Sequence, residues 1–282
     1  MATALAPSEA RWLVEEASGL PASEWASSPA SARGAARLSQ MLKRRLVGVP
    51  LQYVIGHWPF RDLELVVDHR VLIPRPETEV VAEVALAEAV RTGARRGPSD
   101  PLGAIEPAYP VADLGTGSGA LALALAAELP EAEVWATDAS REALAVAGAN
   151  LAAIGPAATR VRLAEGMWYE ALPAGLRGRL RVIVSNPPYV AEAEFDALPR
   201  EVRDHEPRRS LVAGPTGLEA LEVLVAGGPD WLAPGGALVL ELAPHQATAV
   251  AASAHRAGFA GVELRRDLAG RNRVLVARSD QG

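Results

Sequence analysis

The sequence predicts an α/β protein, a mostly parallel sheet with helices on both faces behind a small helical N-terminal region. Three observations carry that prediction. From residue 111 onward, short apolar runs alternate with helical periodicity, the pattern of parallel strands joined by crossover helices. A glycine-rich turn, Asp113-Leu114-Gly115-Thr116-Gly117-Ser118-Gly119, stands between the first such strand and the first such helix, where an open α/β sheet places its ligand. The first fifty residues carry apolar side chains at helical spacing.

Taken in order, Ala10, Leu13, Val14 and Ala17 form one helical stripe, and Leu38, Met41, Leu42 and Leu46 a second. Pro21 and Pro29 separate short helices. Lys43, Arg44 and Arg45 read as a solvated face of the second helix, with an acidic partner as the alternative. Phe60, Leu63, Leu65 and Val67 suggest a short hairpin. Pro74-Arg75-Pro76-Glu77 then opens a helix reaching about Val90, because Pro76 suits the first helical position and Glu77 and Glu79 suit the positive end of the dipole. Thr92 to Pro107, rich in Gly, Pro and Arg, reads as a linker.

Beyond it, strands are expected at Val111–Leu114, Glu133–Thr137, Val161–Leu163, Leu180–Ser185 and Ala237–Leu242. Helices are expected at Leu121–Leu129, Arg141–Leu151, Thr216–Leu232 and His245–Ala257, with Pro234-Gly235-Gly236 as a turn. Val262–Arg266 and Arg273–Ala277 follow one another without a helix, so the sheet should end in an antiparallel hairpin.

Composition narrows the function. The net charge is -6, and residues 1–79 hold nine basic and nine acidic side chains, so the remainder carries all of it. A basic nucleic-acid footprint is absent. With no cysteine, disulfides, thiolate metal sites and cysteine nucleophiles are excluded. The five histidines show no metal-ligand spacing, so no metal is expected. Met1 to Leu20 lacks a basic-then-apolar leader pattern and no apolar run is long enough to span a bilayer, which predicts a soluble, cytoplasmic protein with no membrane partner.

Three motifs carry chemistry. Gly115, Thr116, Gly117, Ser118 and Gly119 permit close backbone approach to a ligand. Their G-x-G-x-G spacing differs from the dinucleotide G-x-G-x-x-G, and no P-loop lysine follows. A cofactor without phosphate therefore fits better, and S-adenosyl-L-methionine is one. Asp113 is expected to organise the loop around its ammonium end. Asp138, at the end of the next strand, is placed to accept both ribose hydroxyls, with a helix cap as the alternative.

The third motif, Asn186-Pro187-Pro188-Tyr189, follows a strand directly. An amide nitrogen is a poor nucleophile because its lone pair is delocalised. A site that methylates one should hold its NH2 with acceptors, and the Asn186 side chain and the Pro187 carbonyl supply two. Those hydrogen bonds strengthen as the nitrogen gains positive charge. Pro188 helps to stiffen the loop, and Tyr189 offers a flat face to a planar group.

Together these motifs resemble the class I S-adenosylmethionine-dependent methyltransferases that act on amino or amide nitrogens. Further segments sharpen the likeness: Pro50–Gly56, Leu72–Glu79, Glu206-Pro207, Gly214–Leu218 and Asp267–Arg273 resemble the HemK/PrmC family of peptide chain release factor glutamine methyltransferases. The resemblance implies a Rossmann-like, mostly parallel seven-stranded sheet over 76–282. It also implies a helical N-terminal domain with its hairpin, 1–75, that engages the release factor. It implies methylation of the glutamine in a Gly-Gly-Gln motif, with Asn186, Pro187 and Tyr189 catalytic and Asn186–Tyr189 binding the substrate amide. The cofactor would lie on Gly115–Gly119, Asp138, Asn186 and Trp168, the last as an adenine wall.

Met167 stands where the family carries an acid, and Ala243 where it usually carries glycine, in a turn expected only to support the sheet. Arg75 and Glu77 are either near the cofactor or form a helix entrance with a pairing charge. Phe60 either encloses the site or packs within its hairpin. The alternatives to release-factor methylation are a ribosomal-protein glutamine, adenine in DNA, a nicotinamide-dependent oxidoreductase and a non-catalytic adaptor. No stable nucleic-acid binding is expected.

Overall fold

A computed structural model describes residues 5–25, 27–28, 31–91 and 109–281. The linker read at 92–107 lies outside the described residues.

The first two helices, α1 (Pro7–Ser18) and α2 (Ala32–Leu46), pack against each other and against the short α3 (Leu51–Ile55). Ser31 caps α2 by accepting from the Gly34 N–H at 3.0 Å. Leu13, Ala17, Met41, Leu51 and Val54 form a core of their own. The basic triplet is less free than its sequence suggests. Arg44 donates to the Tyr53 carbonyl at 2.9 Å, and Arg45 meets Glu9 at 2.9 Å and Glu201 at 2.7 Å.

Strands β1 (His57–Phe60) and β2 (Leu63–Val66) form the expected antiparallel hairpin. Although read at sequence level with the helices, the hairpin shares the core of the large sheet: Phe60 and Leu65 are 1% exposed and pack among its residues. Phe60 thus fastens the hairpin to the core of the sheet. The helical region meets the hairpin through an edge-on pair, Trp12 and Trp58, with ring centroids 5.6 Å apart, and through His57, whose ring lies 2.9 Å from Glu16. Helix α4 (Pro76–Arg91) begins at the expected proline and lies across the sheet.

The large sheet has seven strands. They are β3 (Tyr109–Leu114), β4 (Ala132–Asp138), β5 (Val161–Glu165), β6 (Leu180–Ser185), β9 (Leu232–Glu241), β10 (Gly261–Arg266) and β11 (Asn272–Arg278). The order is β10-β11-β9-β6-β3-β4-β5, and only β11 runs antiparallel to its neighbours. The expected terminal hairpin is therefore present. A minor parallel pair, β7 (Val190–Ala191) with β8 (Val212–Gly214), lies beyond the strand ends, with α7 (Arg200–His205) between them in sequence.

Helices α5 (Ala120–Glu128), α6 (Arg141–Leu151), α8 (Glu219–Trp231) and α9 (Ala247–Arg256) complete the layers. Ala120 to Ala126 of α5 are all buried, as a helical stretch apolar on every side must be. Side chains of alternate strand residues face opposite ways, giving one core with Val111, Val134, Val182 and Val239 and another with Leu114, Ile183, Leu238 and Leu240. No helix among the described residues is long and apolar enough to cross a membrane.

Candidate active site

The strand order reverses between β4 and β6 on either side of β3, and open α/β sheets bind ligands beyond such a point. Register brings the motifs there together. Asp113 pairs with Ala136 and Val184, and Ser185 pairs with Leu240, so Asp113, Asp138, Asn186 and Glu241 all emerge at one end of the sheet. The Ser185 hydroxyl, which donates to the Leu114 carbonyl at 2.5 Å, locks β6 to β3.

A cavity of about 790 Å3 opens at this end. Its wall includes Gly115, Thr116, Gly117, Ser118 and Asp138 on one side and Asn186, Pro187 and Pro188 on another. Met167 and Trp168 line it as well, and Pro74 and Thr78 bring in the segment that opens α4. Nine of the eleven residues named from the motifs meet here. Gly119 and Tyr189 do not line the cavity. Gly119 turns the chain into α5 with φ 88°, a conformation that favours glycine, and a Cβ there would crowd Leu123. The Tyr189 ring packs against the apolar cluster under the sheet, so it does not offer its face to the cavity.

The glycine-rich turn is held by two carboxylates. Asp113 Oδ2 accepts from the Thr116 hydroxyl at 2.6 Å and the Ala122 N–H at 3.1 Å. Burial pushes the Asp113 carboxyl up to about 7, and its Oδ1 is buried with no partner. Asp138 accepts from the Gly117 N–H at 2.9 Å and the Ser140 N–H at 2.8 Å. Burial raises its pKa too, against those two bonds and the charge of Arg209, which stands in the cavity wall. The helix cap weighed for Asp138 is supplied instead by Ser140, whose hydroxyl accepts from the Ala143 N–H.

Trp168 lies against the turn, so close that a Cβ on Gly115 would come 3.1 Å from its Cζ3. Its φ is 47°, a left-handed conformation that costs a bulky residue about 1–2 kcal/mol. The next residue holds it there: the Tyr169 hydroxyl donates to the Leu224 carbonyl at 2.6 Å and its ring stacks on Trp231 at 5.9 Å.

Asn186 Nδ2 donates to Thr78 Oγ1 at 3.2 Å, while Asn186 Oδ1 is buried without a partner. Thr78 Oγ1 donates to Glu241 Oε2 at 2.7 Å, and the Tyr189 hydroxyl reaches Glu241 Oε1 at 3.3 Å. Burial pushes the Glu241 carboxyl up to about 6, with Thr78, Arg273 and Tyr189 opposing the shift. From the following turn, Gln246 Nε2 donates to the carbonyls of Tyr189 and Gly217, each at 2.9 Å. The turn expected only to support the sheet therefore also braces the Asn186–Tyr189 segment. Ala243 takes φ -74° there, which needs no glycine.

Thr78, Glu241 and Gln246 are site residues that sequence reasoning missed. One signal was legible: Glu241 ends an otherwise apolar strand, and a lone acid at the C-terminal end of a buried strand is rarely idle. Arg75 and Glu77 resolve as pairing charges. Arg75 donates to the buried Glu206, which also accepts from the Ile73 N–H at 3.3 Å, and Glu77 meets Arg271 at 3.2 Å.

Fold and site define a class I methyltransferase, and residues 104–202 match the methyltransferase small domain. The fold is shared with a methyltransferase from Pyrococcus furiosus, at 18% identity and a TM-score of 0.52, over 86% of this chain and 99% of that one. Residues 2–56 match the PrmC N-terminal domain. A release factor glutamine methyltransferase of Xylella fastidiosa is 42% identical over 250 residues, 89% of this chain and 84% of that protein. One from Deinococcus radiodurans is 42% identical over 247 residues, 88% of this chain and 81% of that protein. The chain belongs to the release factor glutamine methyltransferase family.

Proposed function

We propose that this chain transfers a methyl group from S-adenosyl-L-methionine to the side-chain amide nitrogen of the glutamine in the Gly-Gly-Gln motif of peptide chain release factors. The observation that carries the proposal is Asn186 Oδ1, a shielded acceptor without a partner in the wall of the cavity. An orphan acceptor costs about 1–3 kcal/mol, which a substrate NH2 would recover.

The residues fit the cofactor. Asp113 Oδ1 is a buried carboxylate oxygen with no partner, suited to an ammonium group. Asp138 has both oxygens anchored by N–H donors yet keeps lone pairs for ribose hydroxyls. Gly115 to Ser118 offer backbone to the amino-acid end, Gly119 holds the turn into α5, and Trp168 walls the adenine side. When bound, S-adenosyl-L-methionine supplies an electrophilic methyl group on a sulfonium sulfur.

The chain's own residues do the rest. Asn186 Oδ1 and the Pro187 carbonyl would each accept one hydrogen of the substrate amide, which fixes the amide plane so that the nitrogen lone pair, perpendicular to it, is the face left open, and one amide hydrogen leaves as a proton once the nitrogen is methylated. Both bonds strengthen as positive charge develops on nitrogen, and that gain is specific to the transition state. Pro187 and Pro188 keep the acceptors fixed, so little reorganisation is required. Tyr189 anchors the turn from below. The helical region ahead of the sheet engages the release factor, in keeping with its match to the PrmC N-terminal domain.

Labelled cofactor offered with purified release factor, ribosomal proteins and DNA tests this reading. The expected result is label in the release factor, with the mass of one methylene on the Gly-Gly-Gln glutamine. Label confined to ribosomal protein or to DNA refutes it, as does uptake of NAD in place of S-adenosylmethionine in a calorimetric titration.

A further inference from the structure

We infer that Thr78 and Glu241 are positioning residues that decide which end of the Asn186 side-chain amide is left for the substrate. The inference rests on the reading of Asn186 as an acceptor for the glutamine amide, and a count of hydrogens carries it. An ionised Glu241 can only accept, and a hydroxyl has one hydrogen. Thr78 Oγ1 lies 2.7 Å from Glu241 Oε2, so its hydrogen is committed there. Only lone pairs remain for Asn186, 3.2 Å away on the other side.

The Asn186 atom facing Thr78 is therefore the NH2, and Oδ1 is turned the other way, buried with no hydrogen-bond donor from the protein. Flipping the amide would set two oxygens together with no hydrogen between them. It would also present NH2 to a substrate NH2, which cannot bond. Glu241 Oε1 accepts from Tyr189, so one carboxylate holds both ends of the Asn186–Tyr189 turn. Glu241 is 1% exposed, and burial in an apolar strand end needs such partners to be tolerated. Thr78 lies in the first turn of α4, while its neighbours face elsewhere: Glu77 to Arg271 and Glu79 to the Arg61 N–H.

Two variants separate the hydroxyl from the space it fills. Thr78→Val keeps the shape and removes the hydrogen bond, and Thr78→Ser keeps the bond and loses the methyl. Thr78→Val is expected to lower kcat at least about tenfold, by analogy with losing one oriented group. Cofactor Kd should stay within about twofold, and release-factor KM should rise less than kcat falls, because the contact to the substrate NH2 is strongest in the transition state. Thr78→Ser should recover most of kcat. Should Thr78→Val fail to fold, Glu241→Gln carries the comparison: its NH2 can donate to Thr78, freeing the hydroxyl to turn toward Asn186, and kcat falls.

A second readout needs no release factor. The Asn186 side-chain amide signal in NMR, identified by its loss in Asn186→Asp, should exchange with solvent faster in Thr78→Val than in the unsubstituted chain. An unchanged kcat in Thr78→Val, an equal loss in Thr78→Ser, or an unmoved Asn186 signal overturns the inference. If the unsubstituted chain does not methylate release factor, the proposed function falls, and the NMR comparison alone decides whether Thr78 orients Asn186.

Discussion

Both backbone polar groups of Val66 bond to one side chain, that of Asn150. The Val66 N–H donates to Oδ1 at 2.7 Å, and its carbonyl accepts from Nδ2 at 3.1 Å. The same Nδ2 donates to the Ser118 carbonyl at 2.8 Å. A buried amide on α6 thus fastens the β1–β2 hairpin to the glycine-rich turn of the cavity.

Removing that amide should be costly. Asn150→Ala leaves the Val66 groups and the Ser118 carbonyl without their partner. The expected loss is about 1–3 kcal/mol, read as a lower urea midpoint. Because Ser118 lines the cavity, cofactor affinity should weaken as well. A midpoint equal to that of the unsubstituted chain would show that water replaces Asn150 without penalty.

Gly227 tests how the Trp168 wall is seated. In a helix, alanine is ordinarily better than glycine by about 1 kcal/mol. Here a Cβ would lie 2.6 Å from Tyr169 Cδ2, on a ring held against α8 by Trp231 and the Leu224 carbonyl. Overpacking of that kind costs about 1–3 kcal/mol, so the clash wins. Gly227→Ala is expected to lower the melting temperature and to weaken cofactor binding by displacing Trp168. In Tyr169→Ala, the added Gly227→Ala change should become neutral or stabilising, and a persistent loss there would remove the clash as its cause.

How legible all this was from sequence depended on the length and periodicity of each segment. The helix at Arg141–Leu151 and the strand at Leu180–Ser185 were found at their observed bounds, because each has one periodicity and clear punctuation. The five-residue helix Leu51–Ile55, between Pro50 and Gly56, and the six-residue helix Arg200–His205 are too short for a helical stripe to register. Pro234-Gly235-Gly236, expected as a turn, lies inside a strand that begins at Leu232 and shifts register there. The helix expected from Thr216 begins at Glu219, because Glu219 Oε1 accepts from the Thr216 N–H and hydroxyl ahead of it.

In the site, the motif residues were readable because each sits in a local pattern. Thr78 was not, and Glu241 showed only as a lone acid at a strand end, since the two meet across 163 residues of chain and only the sheet register makes them neighbours. Tyr189 was expected to stack on substrate. Sequence could not show that a buried carboxylate would draw its hydroxyl inward.

The elevated Asp113 carboxyl predicts a proton linkage. Burial lifts it to about 7, so near neutral pH the free protein holds a fraction of it protonated. For stability, a folded pKa raised above the ordinary 3.8 means that this group favours folding at acid pH. That contribution is lost as pH rises from about 3.8 to about 7. For binding the sign is opposite, because an ammonium needs the ionised form. Cofactor uptake should release protons near pH 7. Its affinity should weaken toward acid by up to about tenfold per pH unit below that point. Titration calorimetry in buffers of different ionisation enthalpy measures both effects, and Asp113→Asn should abolish the linkage. Proton uptake on binding, or none, would contradict the role given to Asp113.

Asn186→Ala tests methyl transfer most directly. The substitution removes one acceptor that contacts the substrate amide and leaves Asp113, Asp138 and the glycine-rich turn in place. Turnover on release factor should fall by at least about 100-fold, the scale of losing one transition-state hydrogen bond. S-adenosylmethionine affinity, titrated in the same preparation, should be largely retained. Turnover close to that of the unsubstituted chain would contradict the account by removing Asn186 from methyl transfer.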